Sequence, residues 1–537
     1  MKKLWLTAPI LLALLAFFFG RHLSQQRHSA NETLAHPSSP SHHKQTPDAP
    51  LSPQASPFPS ITDKDISAAL DALSKGALAN ERILRFNSIE DLNAFLADAA
   101  KQGLEVISVD PHLLSLRIRT ENRQDLTALQ RLAKDRASIE RNYLVSQPQP
   151  PLSRDPSATD QFLPFYSHAK AWLGAPDDTS EWGKGVTIAV LDTGIDSSSA
   201  TSIDVLKSSD TDHSHGTSVA SVFARDDDLA LVPQADILSI RVLDSNGNGD
   251  TYTLAQGIVE AADRGADIIN LSLGTYGDNS LVRDAITYAE SQGAVIVAAS
   301  GNDGYQNITF PAALDSVIGV GAVDANNQLT DFSNTGEGLD IVAPGYGVES
   351  SLEQNDTQKY SSGTSIATPF VSATIAAVLS QEPDLTPTEA AQIVLDNSND
   401  IGAPGQDLAT GSGSLDIDRI LNRDTPNLSD VAVSDFHLDF ENATEHMIPL
   451  QITVENRGTE KLHQVYLEFS QEDGQAQSVY LGDIQESDTT AHTLYIDRYK
   501  FETENGFSIE ATATARSTDS RPYNNQKAAT LRLTPEG

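Results

Sequence analysis

Asp192, His215, Asn302 and Ser365 are scattered through the middle of the chain, yet together they supply what amide hydrolysis through a serine requires. That chemistry needs a base for the hydroxyl proton, a carboxylate to hold the base in one tautomer, and donors for the oxyanion. Ser365 lies in Tyr360-Ser-Ser-Gly-Thr-Ser365-Ile-Ala-Thr-Pro369, ahead of an apolar run from Phe370 to Leu379. A serine in the first turn of a buried helix sits in the positive field of the helix N-terminus, beside N–H groups that have no partner within the helix. Such groups can donate to an oxyanion. Asn302 ends the run Ala298-Ala-Ser-Gly-Asn302 and offers a side-chain amide as a second donor. Asp192 follows Val186-Thr-Ile-Ala-Val-Leu191 and precedes Thr193-Gly194, where a carboxylate can reach outward from a fixed strand end. His215 is followed by Gly216, which permits close approach of a neighbour. Taken singly, each also fits a structural role: a turn aspartate, a core histidine, an N-cap serine.

These groups need a scaffold that gathers strand ends and helix starts at one edge, as open α/β sheets do. Residues 185–422 alternate apolar runs (Val186–Leu191, Ile237–Val242, Ile268–Leu273, Ala294–Ala298 and Val317–Val320) with helical stretches. Continuous apolar strands separated by helices imply a parallel sheet covered on both faces. The expectation is that hydroxyl, imidazole and carboxylate converge at its edge, touching in series.

The segments Val190–Asp196, His215–Ala220, Leu271–Gly274, Ala299–Asn302 and Gly363–Pro369, in that order, closely resemble the subtilisin-like serine proteases (subtilases, peptidase S8 family). The likeness covers about residues 185–422 and extends through Asp340-Ile-Val-Ala-Pro-Gly345 and Gly411-Ser-Gly-Ser-Leu-Asp416. It implies a serine endopeptidase with Asp192, His215 and Ser365 as triad, and an oxyanion hole of Asn302 and the Ser365 N–H. It also implies a polypeptide substrate added as a strand between Gly247-Asn-Gly249-Asp250 and Ser272-Leu273-Gly274. The primary specificity pocket would be walled by Ser272–Gly274 and Ala299–Gly301. Ile366 stands where Met is usual and Phe370 where His is common, while Ser218 and Ser221 replace the frequent His and Gly. These changes keep size and burial. The loop from Asp303 to Phe310 is short, so the pocket floor does not follow by analogy; Asp303 nearby would favour a basic residue.

Residues 63–147 read β-α-β-β-α-β, the order of a ferredoxin-like fold. The elements are Ile83–Phe86, a helix from Ser88 to Gly103, Leu104–Val109, Leu113–Ile118, a helix through Leu126, Leu129 and Leu132, and Ile139–Val145. Ahead of a subtilase-like segment, this unit resembles the family's inhibitory prosegments (inhibitor-I9-like). The resemblance implies an intramolecular inhibitor, cut between about Val145 and Asp160, with 148–184 as processing region and lead-in. Residues 423–537 carry alternating stretches (Leu450–Val454, Val465–Phe469, Ile509–Ala513, Ala529–Leu533) between turn residues, the pattern of an all-β, immunoglobulin-like sandwich. Val454-Glu-Asn456-Arg-Gly458 and Pro522-Tyr-Asn524-Asn525 resemble CARDB-type adhesion-like domains. A spacer and a module for cell-surface or protein contact both remain open.

Lys2 and Lys3, followed by the uncharged run Leu4–Phe19, mark residues 1–21 as an export signal; a cleaved signal peptide and an uncleaved anchor both fit. The product would be exported across the cytoplasmic membrane and be periplasmic, secreted or anchored. Residues 22–62, rich in Pro, Ser and His, read as a disordered linker. The net charge of −38, of which −29 falls in residues 160–422, excludes nucleic acid as a partner. With no cysteine there are no disulfides, thiolate nucleophiles or cysteine-ligated zinc. Asp244-Ser-Asn-Gly-Asn-Gly-Asp250 matches half of an EF-hand loop, but Ala255 stands where the bidentate Glu belongs. Asp226, Asp227 and Asp228 leave calcium open without assigning a site; no metal site is named and no cofactor is required. The competing class is a catalytically silent binding protein on the same fold, disfavoured because all four catalytic groups are present.

Overall fold

The computed structural model describes residues 63–148, 162–197, 199–207, 209, 212–224, 229–350, 360–471, 474–501 and 506–533. The expected leader (1–21), the linker (22–62), the processing segment beyond Pro148 as far as residue 161, and Asp226–Asp228 lie outside the described residues.

Seven parallel strands form the central sheet, in the order Leu339–Pro344, Val317–Val323, Val295–Ala299, Ile268–Leu271, Thr187–Asp192, Asp236–Arg241, Thr201–Asp204. Every residue of Ile268–Leu271, Val295–Ala299 and Val317–Val323 is buried, because helices cover both faces. On one face lies Thr364–Gln381, buried through sixteen consecutive positions from Thr364 to Leu379. Among the described residues it is the one helix long and apolar enough to cross a membrane, but it is the core of this domain. On the other face lie Thr251–Asp263 and Ser280–Ser291. Two strands of this sheet were not expected. Thr201–Asp204 is a largely exposed edge strand, and Leu339–Pro344 is interrupted by Asp340 and ends on proline.

The N-terminal unit is an antiparallel sheet in the order Glu105–Asp110, Ser115–Arg119, Ala77–Phe86, Ala137–Ser146, with helices Ile89–Gln102 and Arg123–Ala133, as in a ferredoxin-like fold. Ser88 caps the first helix by accepting from the Asp91 N–H, and Gly103 ends it at φ 70°. A further helix, Asp63–Ser74, precedes it. The outer strand of this sheet sits over the starts of the two catalytic-domain helices. The Ser280 hydroxyl donates to Glu140 at 2.6 Å, placing a carboxylate at a helix N-terminus. Fully buried Asn142 accepts from the Thr251 hydroxyl (2.9 Å) and the Tyr252 N–H (3.3 Å). Arg85 pairs with Asp284, and Arg117 with Asp250.

After Asp424 two antiparallel sheets pack face to face: Val431–Leu438, Met447–Asn456 and Thr489–Asp497 against Gln477–Ile484, Leu462–Gln471, Phe507–Thr514 and Gln526–Leu531. The sandwich is tied to the catalytic domain by ions. Glu455 on its strand Met447–Asn456 meets Arg419 of the catalytic-domain helix Ile417–Asn422. Arg457 approaches the same carboxylate at 2.8 Å. Burial opposes ionisation of Glu455, but the two guanidinium groups outweigh it and hold the carboxyl below its ordinary range.

Asp400, close to Glu455, is in the opposite state. Burial first, and the Glu455 charge in addition, push its carboxyl up to about 6, although the Gly405 N–H donates to it. Its folded pKa lies above the unfolded value, so its contribution to stability is complete below about pH 4 and is lost as pH rises through 6. Asp400→Asn, in which Oδ1 can keep the Gly405 bond, should therefore be more stable than wild type at pH 8 by on the order of 2 kcal/mol, the advantage vanishing below pH 4. Denaturation of the two proteins across pH 4–8, in a Ser365→Ala background to prevent self-digestion, measures this difference.

Candidate active site

Asp192 is the last residue of the strand Thr187–Asp192 and is wholly buried. Its backbone carbonyl accepts from Val242 and Leu243 N–H groups, and the Thr193 N–H donates to Oδ1 at 2.6 Å, so the carboxylate is fixed at both ends. His215 lies on the short helix Ser214–Ala220, and both oxygens of Asp192 stand 2.9 Å from its Nδ1. That contact depends on Gly216. A Cβ there would meet the Gly194 carbonyl oxygen at 2.1 Å and force the helix off the aspartate turn.

Ser365 is the second residue of the buried helix Thr364–Gln381. Asn302 reaches the same place from the end of Val295–Ala299. Its Oδ1 accepts from the Thr364 N–H (2.8 Å) and hydroxyl (2.9 Å), which aims Nδ2 the other way. A Cβ at Gly363 would lie 2.7 Å from Asn302 Nδ2 and 3.2 Å from Ser365 Oγ, so both atoms border one small space that only glycine leaves open. The expected series of contacts is incomplete in one respect: His215 Nε2 is buried and makes no hydrogen bond, to Ser365 or any other described group. The imidazole is held by Asp192, while it makes no bond to Ser365 with the segment 144–148 in place, and such bonds often tighten only in a reacting complex.

That tail runs through the site as a strand. Leu144, Val145 and Ser146 pair antiparallel with Asp250, Gly249 and Asn248 on one side. Ser146 exchanges both main-chain bonds with Gly274 on the other, at 3.0 and 2.9 Å. The Gln147 N–H donates to the Gly247 carbonyl, and a Cβ on Gly247 would strike the Gln147 side chain. The Pro148 carbonyl then accepts from Asn302 Nδ2 at 3.4 Å. Gly247, Gly249 and Gly274 thus line an occupied, strand-shaped cleft. Leu273 points into the core with Val145 nearby, and the Ser272 hydroxyl donates to the Ser365 backbone carbonyl instead of lining the cleft. Asp303 is exposed, and its carboxylate accepts from the Tyr276 hydroxyl at 2.7 Å instead of facing the pocket.

Two residues in this site escaped the sequence reading. Ser372 donates to Asn270 (2.9 Å), Asn270 to the Ser272 hydroxyl (3.1 Å), and Ser272 to the backbone carbonyl of Ser365 (2.8 Å). This series of bonds is fully buried apart from a trace of Ser365 and pins the Ser365 backbone to the sheet. Asn270 stands inside an apolar strand run and Ser372 inside an apolar helix; a polar residue at such a position was the available signal.

Among the described residues no group of three or more His, Asp or Glu side chains converges on a point where a cation would sit. The half-matched calcium loop uses its first carboxylate internally: Asp244 Oδ1 accepts from the Asn246 and Asn248 N–H groups.

A parallel sheet whose strand and helix ends carry an Asp–His pair, a serine and a flanking asparagine amide defines the class, and comparison with known proteins agrees. The sequence profile of the subtilase family matches residues 183–413. Subtilisin Savinase of Lederbergia lenta is 37% identical over 212 residues, 37% of this chain and 78% of that protein. The chain belongs to the subtilase family. Minor extracellular protease Epr of Bacillus subtilis (strain 168) is 37% identical over 245 residues, 43% of this chain, but this chain spans only 38% of Epr's length. Fervidolysin from Fervidobacterium pennivorans, a keratinolytic enzyme related to subtilisin, superposes with a TM-score of 0.55 over 81% of this chain and 71% of its own, at 19% identity, a likeness of fold.

Proposed function

We propose that this chain is an exported serine endopeptidase made as a zymogen. Ser365 attacks the peptide carbonyl, His215 takes its proton and returns it to the leaving amine, and Asp192 holds the imidazole with Nδ1–H directed inward and stabilises its charged form. Asn302 Nδ2 and the Ser365 N–H receive the oxyanion. The observation that carries this reading is the course of residues 144–148: an extended strand paired on both sides, ending with a carbonyl at Asn302 beside Ser365. A peptide read through its main chain in that register is what an endopeptidase must bind. The same course supports reading residues 63–148 as an intramolecular inhibitor and the bond after Pro148 as the processing site. Export accords with the family's extracellular members, of which Epr is one by name. The sandwich (423–537) then acts as a clamp on the catalytic domain, and any cell-surface contact would be additional.

Asn302→Ala tests the assignment. It removes one donor whose bond strengthens as charge develops on the oxygen, so kcat should fall by ~10²–10³ with little change in KM, a scale drawn from the corresponding asparagine of subtilisin, itself a subtilase. Steady-state kinetics on a peptide substrate measure the split. An unchanged kcat would remove Asn302 from the oxyanion hole.

A further inference from the structure

The two walls of the cleft beside Pro148 are not separated by open space. Thr309 stands between them. A Cβ added to Gly274 would lie 2.4 Å from Thr309 Oγ1, and one added to Gly301 would lie 2.9 Å from Thr309 Cγ2. The hydroxyl is anchored by donating to the Ala299 carbonyl at 2.9 Å, and the backbone N–H donates to Ser300 at 2.9 Å. The side chain is therefore held in one orientation, with its methyl towards Gly301, and only 6% of the residue is exposed. Behind it, fully buried Asn334 fixes the Gly301 side. Its Oδ1 accepts from the Asp303 and Tyr305 N–H groups at 3.0 Å each, and its Nδ2 donates to the Tyr276 hydroxyl at 2.8 Å. Neither side chain can swing away without leaving a buried polar group unpaired.

We infer that Thr309 sets the primary specificity of this site, closing the pocket floor so that it takes only small residues (glycine, alanine, serine, proline) on the acyl side of the cut bond. The inference rests on the protease reading above and deepens it. Two independent features agree. The chain's own tail presents proline where its carbonyl meets Asn302, a side chain that needs no depth. Asp303, a nearby charge that would recruit a basic residue, is bound by Tyr276 at the exposed rim. A large side chain entering between Gly274 and Gly301 would meet the threonine methyl and hydroxyl within van der Waals distance.

Peptides acetyl-Val-Ser-Gln-X-p-nitroanilide, copying residues 145–147 with X as Ala, Pro, Leu, Phe or Lys, test this on the processed enzyme. Ala should exceed Phe and Lys in kcat/KM by about 100-fold, the scale of a steric mismatch of several atoms. Thr309→Gly should raise the Phe-to-Ala ratio at least about tenfold, and Thr309→Ser, which keeps the bond to Ala299 and drops only the methyl, should raise it less. Preference for Phe, Leu or Lys in the unmodified enzyme overturns the inference while leaving the protease standing, as does a Phe-to-Ala ratio that neither variant moves. Absence of cleavage of every peptide, together with no labelling by a fluorophosphonate, removes both.

Discussion

Ser365→Ala should lower kcat by about 10⁶-fold and leave the chain uncut, with residues 63–148 still covalently attached. The scale is that of the same deletion in subtilisin, a member of this family. The physical reason is that the Ser365 hydroxyl borders the same small space as Asn302 Nδ2, the amide that meets the Pro148 carbonyl. Residual turnover of ~10³–10⁴ over water should persist, since Asn302 and the paired cleft still bind and polarise the carbonyl. Intact-mass measurement of the purified variant reads the second outcome. A variant that is processed normally would show that another protease cuts the chain. The substitution should cost little stability, because the nucleophile's backbone remains bound through Ser272, Asn270 and Ser372.

The second large effect concerns folding. Glu455→Ala should destabilise the protein by about 3–5 kcal/mol, because it strands two guanidinium groups, Arg419 and Arg457, away from water. The side chains of Glu455 and Arg419 are 3% and 5% exposed, so solvent cannot replace the lost partner. Two further bonds disappear with the carboxylate: the Asp400 N–H (3.2 Å) and the Ser434 hydroxyl (3.3 Å) both donate to it. Because the pair bridges the catalytic domain and the sandwich, the loss should also uncouple them, turning one denaturation step into two. Urea unfolding of the Ser365→Ala protein with and without Glu455→Ala measures both. A change under about 1 kcal/mol with a single transition would mean the ions are solvated and the sandwich only tethered. Replacing all three ions with apolar residues should cost far less than removing one, which distinguishes an uncompensated charge from lost packing.

What could be read from the sequence followed its local physics. Apolar runs such as Ile268–Leu271 and Val295–Ala299 announced buried parallel strands to within a residue or two, and Ser88 and Gly103 marked a helix at both ends. The order of short motifs, through its resemblance to the subtilases, pointed to Asp192, His215, Asn302 and Ser365, and Gly216 was read as permitting the close approach that the structure shows. Contacts between distant segments were illegible. Nothing local in Thr309 says that its methyl fills the gap between Gly274 and Gly301, nor does Glu455 in an alternating strand announce an arginine from another domain. Thr201–Asp204 was missed because an edge strand facing water needs no apolar pattern. Asn270 and Ser372, polar residues within apolar segments, went unread, although a buried polar position in such a run signals a specific partner.

Reaction with a fluorophosphonate, followed by mass-spectrometric mapping of the labelled peptide, bears most directly on the assignment of Ser365 as a nucleophile activated by His215. In protein freed of residues up to Pro148, one adduct is expected, on Ser365, formed at a rate that collapses in His215→Ala and absent from Ser365→Ala. A folded, processed protein that takes up no probe, or carries it on a different serine, would contradict the assignment.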